Sequence, residues 1–124
     1  MAKNVTKKKI LVADSEEDFA KALHARLKSN GYEVVIAADG VEAFVKAKKE
    51  KPDLVIYAVR ISKRCDLNLL RDLRSSARTR TIPVLILTSV PEQAEEAVRS
   101  GAASYLMKPY EAGPFLNMVR DILP

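Results

Sequence analysis

The chain has 124 residues, enough for one domain that buries roughly two-thirds of the surface its unfolded form exposes. Apolar residues make up 48% of it and charged residues 30%, which excludes a disordered or fibrous chain, and no apolar run nears the roughly 20 residues of a membrane span. A single cysteine, Cys65, and a single histidine, His24, exclude an internal disulfide and a Cys/His zinc site, and the lysine-rich start without an apolar segment predicts a cytoplasmic protein.

The chain reads as a single domain over residues 1–124, with residues 1–7 a flexible basic N-terminus. A first strand, Ile10–Ala13, leads into a helix that Ser15 should cap. Glu16, Glu17 and Asp18 oppose its dipole in the first turn, Phe19, Leu23 and Leu27 form its core stripe, and Asn30-Gly31 stops it. His24 points away from that stripe and reads as a surface or boundary residue. A second strand, Val34–Ala37, precedes a helix opened by Asp39-Gly40 that runs through Val41, Phe44 and Val45 to near Glu50.

The third strand, Leu54–Ala58, precedes a helix capped by Asp66 and carrying Leu67, Leu69, Leu70 and Leu73, and the polar stretch from Arg74 to Thr81 reads as a loop. The fourth strand, Val84–Leu87, leads to a helix with Pro91 as its first residue and Gly101 as its stop. The strand Ser104–Met107 and a helix after Pro114, with Phe115, Val119 and Ile122 inward, complete the chain, and Pro124 reads as a domain boundary. Apolar runs that alternate with amphipathic helices five times predict an α/β fold, a parallel sheet covered by helices on both faces.

The net charge of +5 draws on Lys7, Lys8 and Lys9 and on Arg71, Arg74, Arg78 and Arg80. No aromatic residues interleave with these to stack on bases, so they read as solvated faces rather than a nucleic-acid surface.

In a sheet of this topology the first and third strands are neighbours, and their carboxyl ends form the usual ligand crevice with the loops after strands four and five. That edge receives Asp14, Ser15, Ala58, Thr88, Ser89 and Lys108-Pro109. A carboxylate, hydroxyls and an ammonium gathered there are the groups of a phosphate-and-magnesium site with pieces removed.

Lys9-Ile-Leu-Val-Ala-Asp14, Gly31-Tyr-Glu-Val, Ala38-Asp-Gly, Lys51-Pro-Asp-Leu-Val, Pro83-Val-Leu-Ile-Leu-Thr88, Gly101-Ala-Ala-Ser-Tyr105 and Lys108-Pro109 stand in an order and spacing that resemble a response-regulator receiver domain of two-component signalling, from Lys8 to Leu123. The resemblance implies a flavodoxin-like, doubly wound (βα)5 fold, a three-layer sandwich around a five-stranded parallel sheet. It also implies a place in a phosphorelay. Members of that family hold magnesium with an acidic pair after strand one, accept phosphate on an aspartate at the end of strand three, and steady it with a Thr/Ser and a Lys.

Here Asp14 matches the first acid, Ser15 falls where the second belongs, and Ala58 falls on the acceptor, while Thr88 and Lys108 match the last two. Arg60 takes the position whose backbone carbonyl would complete the metal site, and Ile61-Ser-Lys-Arg-Cys-Asp66 replaces the usual Met-Pro-Gly-x-Asp-Gly loop. One carboxylate in place of three should remove useful magnesium affinity, so no cofactor and no metal are expected. Lys108 should turn toward Asp14, because a buried ammonium without a partner is costly.

The resemblance therefore implies a degenerate receiver, a pseudo-receiver that is no enzyme and acts by protein–protein interaction without phosphorylation. Its working surface would be helix four, strand five and helix five, including Glu92, Glu95, Val98, Arg99, Tyr105 and Met118, where receivers pair with themselves or a partner. With no phosphoryl group to drive it inward, Tyr105 should favour one state. Two other readings stay open: a phosphorylatable, self-dephosphorylating receiver in which Ala58 replaces a native aspartate, and a nucleic-acid-binding module using the basic surface.

Overall fold

The computed structural model describes residues 7–59 and 68–123. Five strands, β1 (Lys9–Ala13), β2 (Glu33–Ala37), β3 (Leu54–Ala58), β4 (Val84–Thr88) and β5 (Ser104–Met107), pair in parallel in the order β2-β1-β3-β4-β5. Five helices connect or follow them: α1 (Glu17–Ser29), α2 (Gly40–Glu50), α3 (Asn68–Ser75), α4 (Pro91–Arg99) and α5 (Ala112–Ile122). This is the doubly wound, flavodoxin-like (βα)5 arrangement expected from the sequence.

The strands form because their residues are apolar on both sides, and each side meets a different set of helices. Successive side chains along a strand face opposite sides of the sheet. Leu11, Val55, Val84 and Ile86 thus join Leu69, Leu70 and Leu73 of α3 and Ala97 of α4 in one core. Ile10, Val12, Leu54, Ile56, Ala58, Leu85 and Leu87 join Leu23 and Leu27 of α1 and Phe115 and Val119 of α5 in the other.

Several helix ends and faces differ from the sequence reading. Glu16, not Ser15, is the N-cap of α1, and it makes no side-chain cap bond; the Glu16 amide instead donates to Asp14 Oδ1 at 2.9 Å. Asp14 thereby closes an Asx-type turn that leads the chain into the helix. Phe19 is 57% exposed rather than part of the core stripe, which is Ala20, Leu23 and Leu27. Helix α5 begins at Ala112, before Pro114, because a proline in the first helical turn removes only an amide that has no intrahelical partner.

Helix α2 opens as anticipated, with Asp39 accepting from the Glu42 amide at 2.8 Å, while the Glu42 side chain reaches one residue beyond the cap to accept from the Ala38 amide at 2.6 Å. Its outward residues are Val41 and Val45, and Ala43 and Ala47 pack inward instead. Lys46 donates to the Ile36 carbonyl at 2.6 Å, occupying an acceptor on edge strand β2 that would otherwise invite another strand.

Arg74 and Ser75 belong to α3 rather than to a loop. Arg74 donates to the carbonyls of Gly101 (3.1 Å) and Arg80 (2.9 Å), and the buried Thr79 hydroxyl donates to the Leu73 carbonyl at 2.7 Å. Side chains that look like solvated loop chemistry in the sequence satisfy main-chain acceptors here. Residues 1–6 of the expected basic arm over 1–7, Cys65, and the Asp66 cap with Leu67 lie outside the described residues.

Two outcomes follow from this packing. Leu73→Ala, at a fully buried position, should lower unfolding free energy by about 2–5 kcal/mol in urea titrations. Glu42 is held below the ordinary glutamate range, first by the Ala38 amide and then by Lys46. A carboxylate with a depressed folded pKa adds stability above its unfolded pKa and loses it as pH falls through the folded one. The stability gap between the native chain and Glu42→Gln should therefore be full at neutral pH and close on acidification below the ordinary glutamate range.

Candidate functional site

The carboxyl edge of the sheet is assembled by the backbone ladder continuing one residue past the strands. The Asp14 amide donates to Ala37 O at 3.0 Å, the Val59 amide to Leu87 O at 2.8 Å, and the Lys108 amide to Thr88 O at 2.8 Å. Register pairs Ala13 with Tyr57 and Ala58 with Leu87, so the next step brings Asp14 level with Ala58.

Above these tips lies a cleft of about 530 Å³. Asp14, Ala58, Leu87 and Ser89 come from the sheet edge, Phe19, Ala22, Leu23 and Arg26 from α1, and Lys108, Pro109 and Tyr110 from the loop after β5. Asp14 and Ala58 are both 4% exposed. Among the described residues Asp14 is the one carboxylate lining this cleft.

The sequence-predicted residues divide into three groups. Asp14, Ala58 and Lys108 meet in the cleft. Ser15 sits on an exposed bend and Thr88 on the far side of the sheet tip, and neither lines it. Arg60 lies outside the described residues.

The position of Thr88 has a simple cause. Alternation along β4 sends Leu87 toward α1 and α5, and its neighbour Thr88 toward the α3 and α4 side, with Val84 and Ile86. There the fully buried Thr88 hydroxyl donates to Gln93 Oε1 at 2.6 Å and accepts from the Val90 amide at 3.1 Å. Gln93 is itself buried, so the two side chains complete each other across the β4–α4 turn.

Gln93, Phe19 and Arg26 are the residues that sequence reasoning missed at this edge. A signal for Gln93 was present: it shares a helix face with Ala97, which is buried, so a polar group there needed an internal partner. Phe19 and Arg26 lie on α1 beside the cleft, one helical step from the Leu23 stripe.

On the opposite flank Glu92, Glu95, Val98 and Arg99 are exposed on α4, and Tyr105 projects outward from β5, 42% exposed. Arg99 pairs with Glu96 at 3.1 Å. Met118 differs from the rest of the predicted surface, being half-buried against the α1/α5 core.

The family description that fits this chain, over residues 10–120, is the response regulator receiver domain. The chain belongs to this family. Among receiver-bearing relatives it is 36% identical over 118 residues to the alkaline phosphatase synthesis transcriptional regulatory protein PhoP of Bacillus subtilis, covering 94% of this chain and 48% of that one. It is 32% identical over 117 residues to the response regulator MprA of Mycobacterium leprae, covering 93% and 50%.

The chain thus spans about half the length of the curated relatives it matches. Among solved receivers it resembles a putative response regulator from Chloroflexus aurantiacus (TM-score 0.86, 31% identity, 95% of this chain and 98% of that one). It likewise resembles the chemotaxis protein CheY4 of Vibrio cholerae (TM-score 0.84, 28% identity, 94% and 99%). No helix among the described residues of this receiver is long and apolar enough to cross a membrane.

Thr88→Val removes both the donor to Gln93 and the acceptor for Val90 while leaving a buried amide oxygen unmatched. The expected loss is about 1–3 kcal/mol in urea unfolding. Adding Gln93→Leu should recover part of it, giving a non-additive double-mutant cycle, whereas two strictly additive losses would show that the pair is not a unit.

Proposed function

We propose that this receiver works in two-component signalling as a pseudo-receiver, transmitting by docking rather than by phosphorylation of an aspartate. The observation that carries the reading is Ala58: the residue at the β3 tip, level with Asp14 and beside Lys108 in the cleft, is a methyl group. A methyl offers no oxygen on which an acyl phosphate could form. Asp14, with one oxygen already accepting the Glu16 amide, is a poor fit for a magnesium ion that is usually held by carboxylates and phosphate oxygens together. Thr88 gives the same support, since its hydroxyl is spent on Gln93 and Val90.

The working surface in this reading is the α4–β5–α5 flank. Val98 and Tyr105 present exposed apolar area there, rimmed by Glu92, Glu95 and Arg99, a mixture suited to a protein partner or a second copy of the chain. Met118 contributes an edge rather than a contact, because it packs partly inward. The domain is no enzyme, carries no metal, and acts in the cytoplasm without contacting nucleic acid or membrane.

Incubation with acetyl phosphate and magnesium, or with beryllium fluoride, separates this reading from ordinary receiver chemistry. Intact-mass spectrometry should show no phosphoryl adduct on the chain, and its amide NMR spectrum should not respond to beryllium fluoride. The Ala58→Asp, Ser15→Asp double variant should respond to both. A phosphoryl adduct on the unaltered chain would sink the proposal.

A further inference from the structure

We infer that the cleft over Ala58 is a binding site for a small organic anion, one with a flat apolar body and a single carboxylate or sulfonate. Its volume, about 530 Å³, falls within the roughly 300–1,000 Å³ range of small-molecule sites. Its walls are mostly apolar: Leu23, Ala58 and Leu87 form the floor and Phe19 and Tyr110 the sides. The Phe19 ring, 57% exposed at the cleft edge, adds apolar area to that wall that a flat ring would cover.

Charge selects the ligand's sign. Among the described residues Arg26 and Lys108 are the cations of the lining and Asp14 its carboxylate, an excess of one positive charge. Arg26 is exposed at the rim, and its guanidinium pairs with no acid among the described residues. A guanidinium placed beside an apolar wall is suited to a carboxylate carried on an apolar body, which it can meet with two parallel hydrogen bonds.

The same features exclude other occupants. Inorganic phosphate would bring a polyanion against Leu23, Leu87 and Phe19 without the Thr88 hydroxyl, which is committed to α4. Among the described residues of the lining, a free cation would meet one carboxylate and two positive side chains. The inference goes beyond the docking reading and stands or falls separately from it, since it requires neither a partner nor the absence of phosphorylation.

Amide NMR titration of the intact chain with naphthoate, and in parallel with the neutral naphthalenemethanol, tests it. Naphthoate should give saturable shifts centred on Asp14, Leu23, Ala58, Leu87 and Ser89, and should bind about tenfold more tightly than the alcohol. Arg26→Gln, at an exposed position that should not affect folding, should erase the preference for the anion while leaving the alcohol's affinity unchanged. Phe19→Ala, also exposed, should weaken both.

No saturable shift at millimolar naphthoate would overturn the inference, as would shifts centred elsewhere, such as on Val41 and Val45 of α2. Equal affinity for acid and alcohol in the native chain, or an Arg26→Gln chain that still prefers the acid, would do the same. Because no phosphodonor or partner protein enters this measurement, its failure leaves the docking reading untouched.

Discussion

Parity along the strands decides the chemistry of this molecule. In a parallel sheet with helices on both faces, each residue's side is set by its position, and a slip of one residue would send every side chain to the opposite face. With Ala58 paired to Leu87 and Thr88 to Met107, the strand tips have no freedom to choose. Asp14, Ala58 and Leu87 continue the side of Ile10, Ile56 and Leu85, so they share the cleft with α1. Thr88 continues the side of Val84 and Ile86, so its hydroxyl meets α4.

The energetics follow the same division. Ala58 belongs to the apolar cluster that contains Leu85, Leu87 and Phe115, so the core beneath the cleft runs without interruption to its floor. Carboxylates crowded at such a tip repel one another and resist desolvation unless a cation offsets them. With a methyl at position 58 beside Asp14 that conflict does not arise, and burial of an alanine beside leucines needs no compensating partner. On the other side of β4 the polar groups are fully matched, Thr88 with Gln93 and Val90, and among the described residues no buried side-chain polar atom is left without a partner.

Much of this was readable from the residues. All five strands came from apolar runs and match to within a residue at each end, because strands buried on both faces admit little else. Asp39, Pro91 and Gly101 marked helix ends through local backbone chemistry that no distant contact overrides. The misreadings share one cause: a sequence shows residue type, not which neighbour satisfies it. Ser15 has a capping side chain, but the helix starts one residue later, after a turn that Asp14 closes on the Glu16 amide. Phe19 is apolar, but the smaller Ala20 lies against the sheet while Phe19 stands at the cleft edge. Arg74 looks like a solvated cation, yet it closes two main-chain acceptors. Gln93 was overlooked because its meaning depends on Thr88, which reaches it across a turn.

The two flanks of the domain are joined through that same pair. Strand β5 carries Tyr105 on its outer side and is followed by Lys108, which lines the cleft and whose amide is bonded to the Thr88 carbonyl; Thr88 in turn holds the first turn of α4. A ligand in the cleft could alter the α4–β5 surface only by binding two arrangements of this connection unequally. Thr88 is turned from the cleft and saturated by α4, so an occupant resting on Leu87 and Ser89 does not meet the Thr88 hydroxyl. The β4–α4 turn is held by bonds of its own, so the proposed docking surface would keep its form whatever the cleft contains.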